Sequence, residues 1–452
     1  MKNHIHFIGI CGVGMSALAI LWQKKGWKVT GSDVGFYPPI STHLNEHKIN
    51  YYPGWHVEKM GTPDLVVVGN VAGSENPELQ FVLENNIPHV SYPELISQNL
   101  IKENSIVCAG TYGKTTTAAL LAFILKEANY MPAYMFGGLS NMLSHSADDL
   151  GGDWSIVEGD EYKTSRTDLR AKFFSYKPTH LLLTGIKCDH ADVYPTVKSY
   201  LEAFEQLVQM IPNNGLIVAC TDNINIKNII TKAKSPIITY GKDHGNYTYG
   251  DIDQTNAGLK FTIENVKGAF EIYSPMLGDY MAENICGAFV MAKEIVVEPE
   301  KIINAIAKFT GIKRRLEKRG QNKLGADVYD DIAHSPTKAL AILATLKNIY
   351  SGKIVAVFEP NTGNRQKESL GDYNHAFNQA DEVIIPRLTK VKTTGSIEGD
   401  ELAKVIAKTH TNVKYFENDD DLTSYLNTNY KIGDAVVFMG SHSFRGMIEE
   451  LL

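Results

Sequence analysis

Gly110-Thr111-Tyr112-Gly113-Lys114-Thr115-Thr116-Thr117 stands between the apolar run Ser105–Ala109 and the long apolar stretch Thr115–Ala128. A short apolar run ending at glycine reads as a buried strand, and the longer stretch after it as a helix. A glycine-rich turn from strand to helix lets backbone N–H groups and the helix N-terminus approach phosphate oxygens. Lys114 supplies a cation for the β- and γ-phosphates from a solvated cleft, and the Thr115 hydroxyl a ligand for Mg²⁺. Gly110, Thr111, Gly113, Lys114, Thr115 and Thr116 are therefore candidate ATP-binding residues. The longer Walker pattern requires glycine where this chain has Cys108, so the loop is a shortened G-T-x-G-K-T-T-T form.

The alternation of strand and helix continues outward in both directions. Upstream, Ile5–Ile10, Lys28–Ser32 and Asp64–Gly69 read as strands and Ser16–Lys25 as a helix. Downstream, Trp154–Val157, His180–Thr184 and Leu216–Cys220 read as strands, and Asn246–Tyr273 alternates as antiparallel strands do. Met281–Ile295 and Pro299–Thr310 read as helices, and Asp327–Asp330, Lys353–Phe358, Glu382–Ile385 and Ala435–Met439 as the strands of a third α/β unit. Alternation of this kind implies mostly parallel, doubly wound sheets. A chain of 452 residues has room for about three domains, with boundaries near residues 100 and 315.

Gly9-Ile10-Cys11-Gly12-Val13-Gly14 is a second glycine loop between strand and helix, patterned G-x-x-G-x-G rather than G-x-G-x-x-G. Asp33 ends the next strand, where a dinucleotide-binding domain often places an acid for ribose. A nicotinamide oxidoreductase would use this loop but leave Gly110–Thr117 without a role. A nucleotide-binding regulator would keep Gly110–Thr117 but lack the acids beyond it. Those acids are Glu158-Gly159-Asp160-Glu161, after the strand Trp154–Val157, and Asp189-His190-Ala191-Asp192, after His180–Thr184. Parallel strands deliver their C-terminal ends to one edge, so Glu158 and His190 are candidate Mg²⁺ ligands beside Thr115.

Net charge −7 and a pI near 6.1 argue against nucleic acid as a partner. No apolar run has the length a membrane span needs, and the N-terminus enters a strand at once, without a signal-peptide apolar region. Five cysteines without a C-x-x-C pair point to reduced thiols. A cytoplasmic enzyme is the expectation.

Taken together, Gly9–Gly14 with Ser32-Asp33, the G-T-x-G-K-T-T-T loop, Glu158–Glu161, Asp189-His190, Arg314-Arg315 and Tyr329–Thr337 resemble the Mur ligases. That family builds the peptidoglycan stem peptide on a UDP-muramoyl carrier, using ATP and Mg²⁺. The resemblance implies a Rossmann-like UDP-sugar domain over 1–100 and a P-loop ATP domain with a parallel sheet over 101–315. It also implies a Rossmann-like C-terminal domain over 316–452 that binds the amino substrate. The Asp-His-Ala-Asp segment is similar to the branch acting on UDP-N-acetylmuramate itself, which adds either L-alanine or an L-Ala-γ-D-Glu-meso-diaminopimelate tripeptide. Ile10-Cys11-Gly12, Tyr37–Thr42, Gly69-Asn70, Asn86-Ile87-Pro88 and Phe438–Ser441 resemble the tripeptide-adding members.

By the same resemblance Gly12, Gly14, Ser32 and Asp33 contact UDP, Lys114 the γ-phosphate, Thr115 and Glu158 one Mg²⁺, and His190 a second. Asn284 reads adenine, Arg315 lies near ATP, Asp330 and His334 reach the ribose and phosphate region, and Arg365 meets the amino substrate. His334 is also a candidate base for the amine proton. Relatives carry a modified lysine in the helix after Asp-His. Tyr200–Val208 contains no lysine, so Glu202 or Glu205 is expected to supply that charge. Arg365, Lys367, Arg387, Lys390, Lys392 and Arg445 form a cationic supply for the extra carboxylates of a tripeptide.

Overall fold

The computed structural model describes residues 3–36, 40–166, 168–187, 193–295, 297–389 and 396–452. Cys188, Asp189, His190, Ala191, Asp192, Lys390, Lys392 and Tyr37–Pro39, which figure in the sequence reading, lie outside the described residues. The chain divides into two compact units. One comprises Met1–Ile252, Lys260–Pro275 and Tyr280–Thr310, the other Asp253–Leu259, Met276–Asp279 and Gly311–Leu452.

The first unit holds two sheets. Five strands run in the order Asn50–Pro53, Lys28–Asp33, His4–Ile8, Leu65–Val68, His89–Ser91, all parallel. This order reverses beside the central strand, the switch point at which such sheets bind ligands. The expected strand Ile5–Ile10 stops at Ile8 for a local reason. Gly9 takes φ 90°, and the N–H groups of Gly9 and Ile10 both turn to Ser32 O.

The second sheet has ten strands, ordered Gly268–Ser274, Gly258–Asn265, Tyr247–Thr255, Ile237–Gly241, Leu216–Cys220, His180–Leu183, Asn104–Ala109, Trp154–Gly159, Ala133–Met135, Ala147–Asp149. From Tyr247–Thr255 to Ala133–Met135 neighbouring strands pair in parallel, and Ala147–Asp149 adds an antiparallel edge. The helix Lys114–Glu127 is buried along nearly its whole length. An apolar surface all round the helix lets it pack on the sheet and on its neighbours at once.

The second unit carries a six-stranded sheet ordered Glu317–Gln321, Asp327–Asp331, Ala435–Gly440, Ile354–Glu359, Glu382–Pro386, Val413–Phe416. Only its first pair is antiparallel. Both faces are covered by apolar clusters, one around Leu343, Phe358 and Phe377 and one around Leu422, Phe438 and Phe444. The edge strand Glu317–Gln321 (EKRGQ) has no apolar alternation, so its position follows from pairing rather than pattern.

Candidate active site

The strand Asn104–Ala109 delivers Gly110-Thr111-Tyr112-Gly113 to the start of the helix Lys114–Glu127. Gly113 caps that helix at φ 77°, and Gly110 takes φ 139°. A Cβ at Gly110 would lie 2.2 Å from Thr184 Oγ1, and one at Gly113 would lie 2.1 Å from Asn284 Oδ1. Both positions therefore require glycine. Thr184 closes the loop by donating to the carbonyls of Ala109 and Tyr112. Thr111 Oγ1 donates to Lys187 O at 2.7 Å and lies 2.8 Å from the Tyr200 hydroxyl. Thr116 is buried in the first helical turn.

The acids after Trp154–Val157 meet this loop. Thr115 Oγ1 donates to Glu158 Oε1 at 2.8 Å, and Gly137 N–H donates to Glu158 Oε2 at 2.6 Å. Lys114 Nζ lies 2.8 Å from Glu161 Oε2, with the two side chains only 13% and 1% exposed. The expectation that Lys114 points into a solvated cleft is corrected: the ammonium is drawn onto a buried carboxylate. Tyr194 and Tyr200 hydroxyls also reach Glu161, at its carbonyl and at Oε1. The expectation for the helix Val197–Met210 is corrected too. Glu202 faces solvent and pairs with Lys198 at 3.8 Å, Glu205 is half-buried, and the carboxylate that meets Lys114 is Glu161. Burial pushes the Asp160 carboxyl up, yet the Lys172 ammonium paired with it holds it below the usual carboxylate range.

A cleft of about 330 Å³ joins the first glycine loop to these acids. Gly12, Gly14 and Asp33 line it on one side, and Gly137, Glu158, Asp160 and Lys172 on the other, with Tyr92 between. Gly14 is required there because a Cβ would fall 2.4 Å from the Tyr92 hydroxyl. Burial raises the Asp33 pKa against its backbone hydrogen bonds. Its Oδ2 accepts from Cys11 N–H at 2.8 Å, so it holds the glycine loop in shape while bordering the cleft. Ser32 does not line the cleft. It is fully buried and donates to Glu78, which also takes the Tyr52 hydroxyl and His56 N–H, so the UDP contact expected of Ser32 gives way to an internal network.

Thr115 and Glu158 offer hard oxygen donors at the mouth of a phosphate loop, a set that fits Mg²⁺. Asn284, expected to read adenine, is buried with its amide against Gly113 and Nδ2 3.8 Å from Met281 Sδ.

In the second unit, Arg314 and Leu316 hold left-handed backbone, at φ 59° and 47°. Asp331 fixes this bend by accepting from Leu316 N at 2.6 Å and Ala333 N at 2.7 Å; burial pushes its carboxyl up to about 6. Asp330 is buried between Arg314 at 3.2 Å and Arg319 at 3.3 Å. Both carboxylate oxygens are occupied, so the ribose contact expected of Asp330 would require breaking an ion pair. Arg314 runs on to the carbonyls of Gly440, Ser441 and His442, whereas Arg315 is exposed. His334 Nδ1 lies 2.7 Å from Ile332 O; a carbonyl only accepts, so Nδ1 carries the proton and Nε2 the lone pair. Burial and the Lys338 charge lower the His334 pKa, with the Ile332 bond opposing, so the imidazole is neutral at pH 7.

The arginines expected to meet a substrate are engaged within the fold. Arg365 is 1% exposed, donates to Thr389 O at 2.7 Å and Ile397 O at 3.2 Å, and faces Glu398. Arg445 binds Asp419, Glu359 and Arg387 O, and Arg387 binds Asp419. Lys367 is exposed. The sequence pattern assigns no such role to Glu161, Lys172, Tyr92 or Asp331. Glu161 sat inside a recognised acidic segment, whereas Lys172 and Tyr92 carry no local signal.

Three family descriptions cover this arrangement in order: the Mur ligase family catalytic domain over residues 4–103, the Mur ligase middle domain over 108–292, and the Mur ligase glutamate ligase domain over 314–442. The chain is 31% identical to the Escherichia coli UDP-N-acetylmuramate–L-alanyl-γ-D-glutamyl-meso-2,6-diaminoheptandioate ligase, covering 99% of this chain and 97% of the relative. The chain belongs to the Mur ligase family. It is an ATP-dependent amide ligase of peptidoglycan synthesis. A Mur ligase from Clostridium tetani, the UDP-N-acetylmuramate–L-alanine ligase, is 30% identical over 97% of this chain and 95% of its own. The crystal structure of the Thermotoga maritima UDP-N-acetylmuramate–alanine ligase shares the fold, with TM-score 0.82 and 22% identity over 99% and 98% of the two chains. Among the described residues no helix is long and apolar enough to cross a membrane.

Proposed function

We propose that this Mur ligase joins the lactyl carboxylate of UDP-N-acetylmuramate to the amine of L-alanyl-γ-D-glutamyl-meso-diaminopimelate, in the cytoplasm, with ATP and Mg²⁺. One observation carries the ligase reading: a single cleft is lined by the glycine loop Gly12–Gly14 and by Glu158, whose other oxygen meets Thr115 beside Lys114. That arrangement supports a reading in which a UDP-linked carboxylate meets a phosphate-binding loop. Residues 1–100 are the proposed UDP-sugar domain, 101–315 the ATP domain and 316–452 the domain for the amine.

The carboxylate attacks the γ-phosphorus of ATP, giving an acyl phosphate and ADP. The amine nitrogen then attacks the acyl carbon, and inorganic phosphate leaves with the bonding pair. Lys114, released from Glu161, neutralises the transferring phosphoryl group, and the loop amides orient it. Thr115 and Glu158 would hold one Mg²⁺, and His190 is the proposed ligand of a second; the ions would supply positive charge against the phosphates. His334, neutral and basic at Nε2, accepts the amine proton. Gly12, Gly14 and Asp33 hold the UDP moiety, Asn284 borders the adenine and Arg315 meets ATP.

The tripeptide is favoured by Ile10-Cys11-Gly12, Gly69-Asn70 and Phe438–Ser441, and by full-length likeness to the E. coli ligase. L-Alanine is the second reading, supported by the C. tetani relative of similar identity. Arg365, Arg387 and Arg445 are engaged within the fold, which leaves these three cations out of the recognition of a tripeptide's carboxylates. The test offers both amines at equal concentration with ATP, Mg²⁺ and UDP-N-acetylmuramate, and weighs the products at low conversion. The tripeptide adduct is expected. Exclusive formation of the alanine adduct overturns the amine assignment, and no adduct with either overturns both.

A further inference from the structure

Three histidines converge away from the cleft. His43 lies on the helix Ile40–Glu46, and His47 follows it by four residues, the spacing that sets two side chains on one face. His145 comes from the central sheet's side of the unit, just before the strand Ala147–Asp149. Each ring offers a nitrogen, and the three nitrogens lie within 4.8 Å of one another. Lys24 and Asp148, paired at 2.7 Å, tie the same two parts of the unit together beside the rings.

Two of these nitrogens, on His47 and His145, are prepared for a cation. His47 Nδ1 lies 2.8 Å from His43 O and therefore donates to it, leaving the lone pair on Nε2. Metal-bound imidazoles are commonly oriented by such an outer carbonyl. Among the described residues His145 Nδ1 is buried and has no hydrogen-bond partner, an arrangement that is costly unless something occupies the nitrogen.

We propose that His43, His47 and His145 bind a divalent transition-metal ion, with Zn²⁺ as its representative, clamping the helix Ile40–Glu46 to the loop before Ala147. Three imidazoles with a fourth position left to water match zinc. Mg²⁺ prefers hard oxygen donors, so the oxygen pair Thr115–Glu158 and the imidazole triad select different ions. The clamp reaches the active site by a short path. The loop that ends at His145 begins beside Gly137, whose N–H holds Glu158 Oε2 at 2.6 Å.

The test uses untagged full-length protein, stripped with chelator and titrated with Zn²⁺ by calorimetry in excess Mg²⁺. Wild type should bind one Zn²⁺ per chain and gain thermal stability. His145→Ala and the double variant His43→Ala/His47→Ala should lose both, with affinity falling by more than the about 10–100-fold that loss of an outer partner costs. Mass spectrometry on wild type gives a second measurement that no folding defect can confound: Zn²⁺ should protect His43, His47 and His145 from diethyl pyrocarbonate. Absence of stoichiometric Zn²⁺ binding, equal binding by all the proteins, or unchanged modification of the three rings overturns the site.

Discussion

Replacing Lys114 with alanine should damage the protein twice, and the two effects separate. The ammonium stands 2.8 Å from Glu161 Oε2, and the Glu161 side chain is 1% exposed. Removing one partner of a buried ion pair costs about 3–5 kcal/mol, because the other charge stays buried without its counter-ion. The Tyr200 hydroxyl, 3.4 Å from Glu161 Oε1, compensates in part. The lower end, about 3 kcal/mol, is therefore expected. In a domain of roughly 200 residues each kcal/mol moves the melting temperature by about 2–4 °C, giving a drop of about 6–12 °C. Turnover should fall by about 10³-fold or more, since the charge that balances the transferring phosphoryl group is gone. Adding Glu161→Gln should restore most of the melting temperature, because a neutral amide needs no counter-ion, while leaving turnover low. Calorimetric melting and phosphate release measure the two quantities independently. An unchanged melting temperature in Lys114→Ala, or no recovery in the double variant, refutes the buried-pair argument.

Glu158→Gln and His190→Ala should each abolish ligation, with only partial rescue by excess Mg²⁺; full activity of both at ordinary Mg²⁺ would make these residues structural. Arg365→Ala should destabilise the C-terminal domain by about 2–3 kcal/mol, since it strips charged donors from Thr389 O and Ile397 O. A raised KM for the amine at unchanged melting temperature would instead return Arg365 to substrate binding. Asp331 titrates near 6 in the fold against 3.8 in the ordinary state, so between these values the folded chain binds the extra proton. Stability therefore falls as pH rises from about 4 to about 6, by about 2–3 kcal/mol from this group. Asp331→Asn should flatten that segment of a denaturation–pH profile, and an unaltered slope counts against the assignment.

The sequence by itself determined what is local. The phosphate loop was legible because an apolar strand, four loop residues and an apolar helix follow one another, and glycine at 110 and 113 is the only residue that permits their backbone and their neighbours. The parallel α/β class was legible for the same reason, since buried strands and helices each print a continuous apolar period. Short strands such as Ala133–Met135 and the charged edge strand Glu317–Gln321 print no such period and exist through pairing. Side-chain direction was decided only by tertiary structure. Ser32 and Asp33 are neighbours on one strand, yet alternation sends Ser32 to Glu78 in the interior and Asp33 to the cleft. Asp330 and Asp331 likewise divide, one clamped by Arg314 and Arg319 and the other holding the backbone of Leu316 and Ala333. A motif fixes which residue types are present, but charges separated by tens of residues choose their partners by proximity and desolvation. The pairing of Lys114 with Glu161, the convergence of His43 and His47 on His145, and the engagement of Arg365 and Arg445 within the fold are products of that choice.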